Sequence, residues 1–322
     1  MSTHITPRPG DIPLANLYKL LQPITIPPSS SRAKFRNWGL SFECTPLSVF
    51  EPENEFQCEL ILELARREGK TVRAAGVGHS PNDLACTNEF MLRTRKLNRV
   101  IEANFEKRYV VVQAGITLQD LHQELAKYNL AMMNLGSISD QSLAGIITTA
   151  THGSGISFGV MSTHVLGLTM LLADGSRVSC SRVERPDLFK ATLCGLGCTG
   201  LILNVQLEVE PAFRLREVQE SLPFDVVLQR LDEFVHSSEH TRFWWFPTTD
   251  MYPQETTEWA IPYENTQACL RDLRNWLKRE QKDPNGLRPH FPVEIRFSAP
   301  DDIWLSPSYG QQTCWIGIVQ FK

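Results

Sequence analysis

Residues able to do chemistry fall in three places. "RAAGVGHSPNDLACT" (73–87) sets a histidine inside a glycine turn, Gly76-Val77-Gly78-His79-Ser80-Pro81. Glycines let backbone N–H groups close on an anion, because no Cβ blocks the approach and positive φ is allowed. A helical pattern and a short strand candidate precede the turn, an order that suits a nucleotide site. The turn lacks the third glycine of a dinucleotide fingerprint and the Lys-Ser/Thr of a phosphate loop, so neither motif accounts for His79. The second place is "NLGSISDQSLAGIITTATHGSG" (134–155), dominated by Gly, Ser, Thr and Ala. Such low bulk lets the backbone approach something flat or charged, with a tightly packed glycine turn as the competing explanation. The third is Glu294 and Arg296, at i, i+2 in "PVEIRF". On a strand both point to one face, and opposite charges among apolar residues cost energy if buried without a partner or a task. A cross-strand pair at the surface is the plainer alternative.

The elements that must position these groups read as α+β. Residues 54–68 place Phe56, Leu60 and Leu64 at helical spacing, after Pro52 and before Gly69. "TVRAAG" is a short strand entering the glycine turn, 108–115 a buried strand, and 117–130 an amphipathic helix with Thr117 as N-cap. Residues 165–181 read as two strands around an Asp-Gly turn. "RPDLFKATLCGLG" is a helix running into glycines, and 201–211 a strand stopped by Pro211. After that proline come one helix over 223–241, a strand "RFWWFP", and a long helix over 262–281 with Pro262 near its first turn. "HFPVEIRFS" and "TCWIGIVQF" are strands. We expect a flexible arm over 1–32, a nucleotide-binding α+β domain over 33–211, and a second α+β domain over 212–322.

Bulk properties narrow the function. A chain of 322 residues suits two domains, and its net charge of −4 argues against the basic face of a nucleic-acid binder. Eight cysteines are scattered without a CxxC pair, which reads as reduced, buried thiols. The N-terminal stretch has neither a secretory nor a transit pattern, and no apolar run approaches the about 18 residues of a membrane span. "HSSEH" (236–240) fits the spacing of a zinc peptidase motif, but solvated histidines at a helix end are the better account, and no metal is expected.

Taken together, "RAAGVGHSPNDLA", "GSISDQSLAGIITTATHGSG" and "GLGCTGLIL", in that order, resemble the FAD domain of the vanillyl-alcohol-oxidase family, and within it the aldonolactone oxidase branch. The resemblance spans roughly residues 33–322. It implies an α+β fold: a PCMH-type FAD-binding domain of two subdomains, over 33–211, followed by a cap, or substrate, domain that is truncated here. By the same resemblance, His79 is bonded covalently to the flavin 8α-methyl, which would anchor the cofactor and raise its potential. Gly76, Val77, Gly78, Ser80 and Pro81 would contact the FAD pyrophosphate and ribose. Ser142, Gly145, Thr149, His152 and Gly153 match the second FAD-contacting motif, and Ile202 a position near the adenine. Ser137 matches a residue facing substrate. Gly136 stands where a larger side chain restricts oxygen in dehydrogenase relatives, so glycine implies an oxidase; a packing glycine is the rival.

Arg296 would steady negative charge developing on the substrate oxygen or the reduced flavin, and Glu294 would bind sugar hydroxyls. The implied reaction is hydride transfer from an aldonolactone of the D-arabinono-1,4-lactone type to flavin N5, with dioxygen as acceptor, giving hydrogen peroxide and an ascorbate-like product. Partners would be the lactone and dioxygen, without nucleic acid, and the location a mitochondrial membrane with at most peripheral association. Two departures qualify this. A long apolar insertion expected after "RFWWFPTTD" is missing, and the chain stops before a C-terminal segment that supplies an active-site lysine. A flavoprotein that holds FAD without turnover, or an oxidase of alditols or oligosaccharides, are therefore the alternatives.

Overall fold

The computed structural model describes residues 8–247, 255–286 and 292–320. Packing divides the chain into two units. One comprises Met1–Met133, Ile138–Thr149 and His164–Ala212; the other Asn134–Ser137, Ala150–Thr163 and Phe213–Lys322. The small-residue stretch 134–155 is thus shared between them.

The first unit begins with helix α1 (Leu14–Leu21), within the stretch read from sequence as a flexible arm. That expectation is corrected. Leu17 and Leu21, one helical turn apart, are buried with Ile12 and Ile24 in the core of this unit. Strand β1 (Ser48–Phe50) leads to helix α2 (Glu55–Glu68). Asn54, rather than Pro52, starts α2: its side chain accepts from the Gln57 N–H at 3.0 Å. Gly69, at φ 62°, closes it in the left-handed conformation. Near that end Arg67 donates to the carbonyls of Gly10 at 2.7 Å and Ile12 at 2.6 Å, tying the N-terminal segment down. Leu60, Ile61 and Leu64 of α2 join the same core. Each fully buried leucine contributes about 2 kcal/mol.

Strands β2 (Val72–Ala75) and β3 (Phe90–Arg93) pair parallel with β1 in the order β1-β3-β2, so the glycine turn leaves the C-terminal end of an edge strand. Strands β4 (Val100–Asn104), β5 (Tyr109–Gln113), β6 (Val165–Leu171), β7 (Arg177–Ser181) and β8 (Leu201–Glu208) form an antiparallel sheet ordered β7-β6-β8-β5-β4. Helix α3 (Leu118–Ala126) is capped by Thr117, which accepts from the Asp120 N–H, and α4 (Leu143–Thr148) follows Ser142.

The second unit holds the sheet β9 (Phe243–Trp245), β10 (Glu255–Pro262), β11 (Val293–Ser298) and β12 (Thr313–Gln320), antiparallel in the order β9-β11-β12-β10. Alternation sorts its side chains. Val293, Ile295, Phe297, Cys314 and Ile316 form a core with Leu228, Leu231, Val235 and Leu270 of the helices. The helix expected over 223–241 is two short ones, α5 (Phe224–Gln229) and α6 (Leu231–Val235), broken at Arg230, whose ψ of 25° leaves the helical range. Pro262 ends β10 instead of opening the long helix, which is α7 (Thr266–Glu280).

The face of this sheet opposite the core carries the polar residues. Glu294 of β11 and Glu258 of β10 both pair with Gly317 of β12, one on each side, so the three form one rung. Arg296, Trp315 and Ala260 form the next. Trp244 of β9 extends the first rung beside Glu294.

Candidate active site

In the first unit the two small-residue motifs meet at Ser142. A Cβ on Gly76 would collide with the Ser142 hydroxyl, and one on Gly145 would lie 3.1 Å from it. Gly78 has φ 79° and packs against the Phe35 ring, so it needs both its freedom and its missing side chain. The hairpin Phe35–Cys44 holds the turn. Trp38 N–H donates to the Gly78 carbonyl at 2.8 Å, and Asn37 Nδ2 donates to the Ser80 carbonyl at 3.1 Å. Val77 and His79 are half-buried, and Pro81 is exposed at the mouth of the turn. The His79 ring stacks on Trp38 with centroids 5.6 Å apart, and its Nδ1 is buried without a hydrogen-bond partner. Burial lowers the affinity of His79 for a proton, only partly opposed by Asp140, so a neutral ring with an uncommitted nitrogen is favoured.

Thr149 spends its hydroxyl on the Gly145 carbonyl at 2.8 Å. The "CGLG" run closes α4: the N–H groups of Cys194 and Leu196 donate to the carbonyls of Ile147 and Thr148. Ile202 is a buried β8 residue paired with Met170.

The second cluster gathers around Arg296, which is only 9% exposed. Its Nη2 donates to Glu258 Oε1 at 2.7 Å. Its Nη1 donates to Ser137 Oγ at 3.2 Å and to the His152 carbonyl at 3.3 Å. Nε faces Glu294 Oε2 at 3.5 Å, yet makes no hydrogen bond, and Glu294 Oε1 is likewise buried without a partner. One charged pair therefore holds an unspent donor and an unspent acceptor, both closed to solvent, the two capacities that an alcohol group would satisfy. Glu258 Oε2 reaches His152 Nε2 at 3.3 Å. The His152 ring is buried and stacks on Trp315 at 3.8 Å, and Trp315 Nε1 donates to Ser298 Oγ at 2.8 Å. Burial pushes the Glu258 carboxyl up, but its bonds and charge interactions with His152 and Arg296 outweigh this and bring it to about 2.

The structure brings Ser137, His152, Glu294 and Arg296 together, and groups His79, Gly76, Gly78, Ser142 and Gly145 separately. His152 and Gly153, read from sequence with the flavin motif, fall in the Arg296 group. A Cβ on Gly153 would collide with Asn134, whose Nδ2 donates to the Ser154 carbonyl at 3.1 Å. Gly136 is half-buried beside exposed Ser137. Glu258 and Trp315 were missed. Their signal lay in the alternation of "ETTEWAIP" and "TCWIGIVQ", where a charged, an indole and a glycine position share one face. The histidines of "HSSEH" share no helical face, because α6 ends at Val235; His240 instead stacks on Phe158 and bonds the Ser154 carbonyl at 2.8 Å.

Comparison with known proteins shows the family. A model of the FAD binding domain matches residues 46–181, and one of D-arabinono-1,4-lactone oxidase matches 205–252 and 249–322. The L-gulonolactone oxidase of Scyliorhinus torazame is 32% identical over 90% of this chain and 82% of its own length. The chain belongs to the aldonolactone oxidase family of FAD-dependent enzymes. The D-arabinono-1,4-lactone oxidase of Candida albicans is 37% identical over 66% of this chain and 41% of its own. The alignment to the Scyliorhinus oxidase runs to 364 positions, more than the 322 residues of this chain, so that relative carries internal segments missing here. The lactone-oxidase match breaks at 249–252, where the sequence places the missing insertion and which lies outside the described residues. A cholesterol oxidase from B. sterolicum shares the fold, with a TM-score of 0.76 at 15% identity, covering 92% of this chain and 82% of its own.

FAD is the cofactor of this family member, and the first cluster fits a bound group by its orphaned His79 nitrogen, while Gly76, Gly78 and Gly145 pack closely on Ser142 and Phe35. No described helix is long and apolar enough to cross a membrane.

Proposed function

We propose that this chain oxidises an aldonolactone of the D-arabinono-1,4-lactone type, with dioxygen as acceptor and an ascorbate-like lactone and hydrogen peroxide as products. The observation that carries this is the unspent pair at Arg296 Nε and Glu294 Oε1. A substrate hydroxyl satisfies both at once, donating its proton to the carboxylate and accepting from the guanidinium. As the carbinol carbon loses hydride, Arg296 is a fixed cation beside the oxygen, so little reorganisation is needed when charge develops. Glu294, next to that oxygen, is placed to hold the hydroxyl proton. Ser137 keeps Arg296 in register and offers its exposed hydroxyl side to the sugar.

When bound, FAD supplies the hydride acceptor and passes the electrons to dioxygen, and Gly136 leaves room for that approach. Gly76, Val77, Gly78, Ser80 and Pro81 would hold it, with Ser142, Gly145 and Thr149 from the second motif and Ile202 toward the adenine. His152 and Gly153 act on the side of Arg296. His79, neutral and with a buried free nitrogen, is the residue we assign to covalent attachment. Peripheral association with a mitochondrial membrane completes the reading and is checked by fractionation.

The break in the family match at 249–252 favours a second reading, in which the chain holds FAD but lacks a segment needed for turnover. One assay separates the two. The flavin-loaded protein, given D-arabinono-1,4-lactone in air, should form one hydrogen peroxide per lactone consumed. Peroxide at the no-substrate level from yellow protein would select the second reading.

A further inference from the structure

Glu258 has no role in the reaction just described, yet it is the strongest ligand of the residue that does. Its two oxygens serve two different partners: Oε1 takes Arg296 Nη2 at 2.7 Å, and Oε2 meets His152 Nε2 at 3.3 Å. Ser137 and the His152 carbonyl take Nη1 from the other side. With both ends held, the guanidinium plane is fixed and Nε is left facing Glu294 at 3.5 Å, close enough to attract but without a hydrogen bond.

Glu294 is the only other carboxylate on this rung, across Gly317. A freely turning guanidinium beside it would form the fork-to-fork, two-bond pair that arginine and carboxylate prefer. That pair would consume both groups that the substrate hydroxyl needs. The second carboxylate prevents this collapse.

We infer that Glu258 is a positioning residue whose carboxylate locks the Arg296 guanidinium away from a bidentate pair with Glu294, so that Nε and Oε1 stay uncommitted. His152 is part of the lock. Its ring is clamped between Glu258 and Trp315, so the carbonyl it offers to Arg296 Nη1 sits on a braced residue. This rests on the lactone reading for what the freed groups do, but not for the lock itself.

The test reads the lock without turnover. In the flavin-loaded protein, nitrogen-15 NMR of arginine side chains should show the Nη protons of Arg296 as separate, slowly exchanging signals. In Glu258→Ala they should merge into one averaged signal, while in Glu258→Gln, which keeps an acceptor oxygen, they should stay separate. Glu258→Asp keeps the charge but withdraws it by one methylene. It should release Arg296 as the alanine does, and it serves if the alanine variant fails to fold. In lactone turnover the Ala and Asp variants should raise KM at least about tenfold and the Gln variant about threefold, because a misplaced cation costs more than a weakened one. Separate signals persisting in both Ala and Asp would overturn the inference, as would merging in Gln. Wild-type protein inert toward lactone, with the NMR pattern as stated, would remove the lactone reading and leave the lock standing.

Discussion

At the scale of the residue, the Arg296 cluster is marked by hydrogen-bond capacity left over. Glu258, Ser137 and the His152 carbonyl take three donors of Arg296, while Nε and Glu294 Oε1 keep theirs. Arg296→Ala should slow reduction of the flavin by lactone at least about 100-fold, the scale of losing one preorganised charge at a reacting oxygen. Arg296→Lys should not restore the rate, since an ammonium cannot span Glu258, Ser137 and Glu294 at once. A rate within about threefold of wild type in either variant would remove Arg296 from the chemistry. His79 makes the second residue-level prediction. After denaturation on a gel, flavin fluorescence should stay with wild-type protein and be absent from His79→Ala. Fluorescence retained by the variant would place the linkage elsewhere or show it not to exist.

At the scale of the element, strand alternation was the most legible signal and helix ends the least. The i, i+2 spacing of Glu294 and Arg296 put both on one face of β11, where they are found. Their partners Glu258 and Trp315 come from β10 and β12, and only the register of three strands brings them together, which no local pattern encodes. Ser142 stands between Gly76 and Gly145 for the same reason: contacts across 66 residues of chain are not written in either motif. The N-terminal segment was read as an arm because it has no targeting pattern, while its leucines had a helical face to bury. Leu17→Ala therefore should cost about 3 kcal/mol in denaturant unfolding, as for any fully buried leucine. A flexible arm would show no change.

At the scale of the whole molecule, two α+β units carry two chemistries: a glycine cradle with an orphaned imidazole nitrogen, and a sheet face with a braced guanidinium. The sequence motifs named the first unit and its cofactor, while the second unit's site was visible in the Glu294/Arg296 spacing and in Ser137 and His152 of the small-residue stretch, but not in Glu258 or Trp315. Charge balance in that face ties stability to pH. The Glu258 carboxyl lies at about 2 when folded, below its ordinary 4.5, so its contribution is complete above 4.5 and is lost as pH falls from there toward 2. Against Glu258→Gln, wild type should lose on the order of 2 kcal/mol more stability across that window, once the water-facing part of the carboxylate is discounted. Parallel acid-unfolding curves for the two proteins would contradict the assigned charge.

Reduction of the bound flavin by a lactone can be followed by itself when oxygen is excluded. Purified, flavin-loaded protein is mixed anaerobically with D-arabinono-1,4-lactone while the absorbance of oxidised flavin is followed. Full bleaching is expected in wild type, with recovery on admitting air, and none on the same timescale in Arg296→Ala. A yellow wild-type protein that stays yellow with excess lactone would contradict the lactone reading.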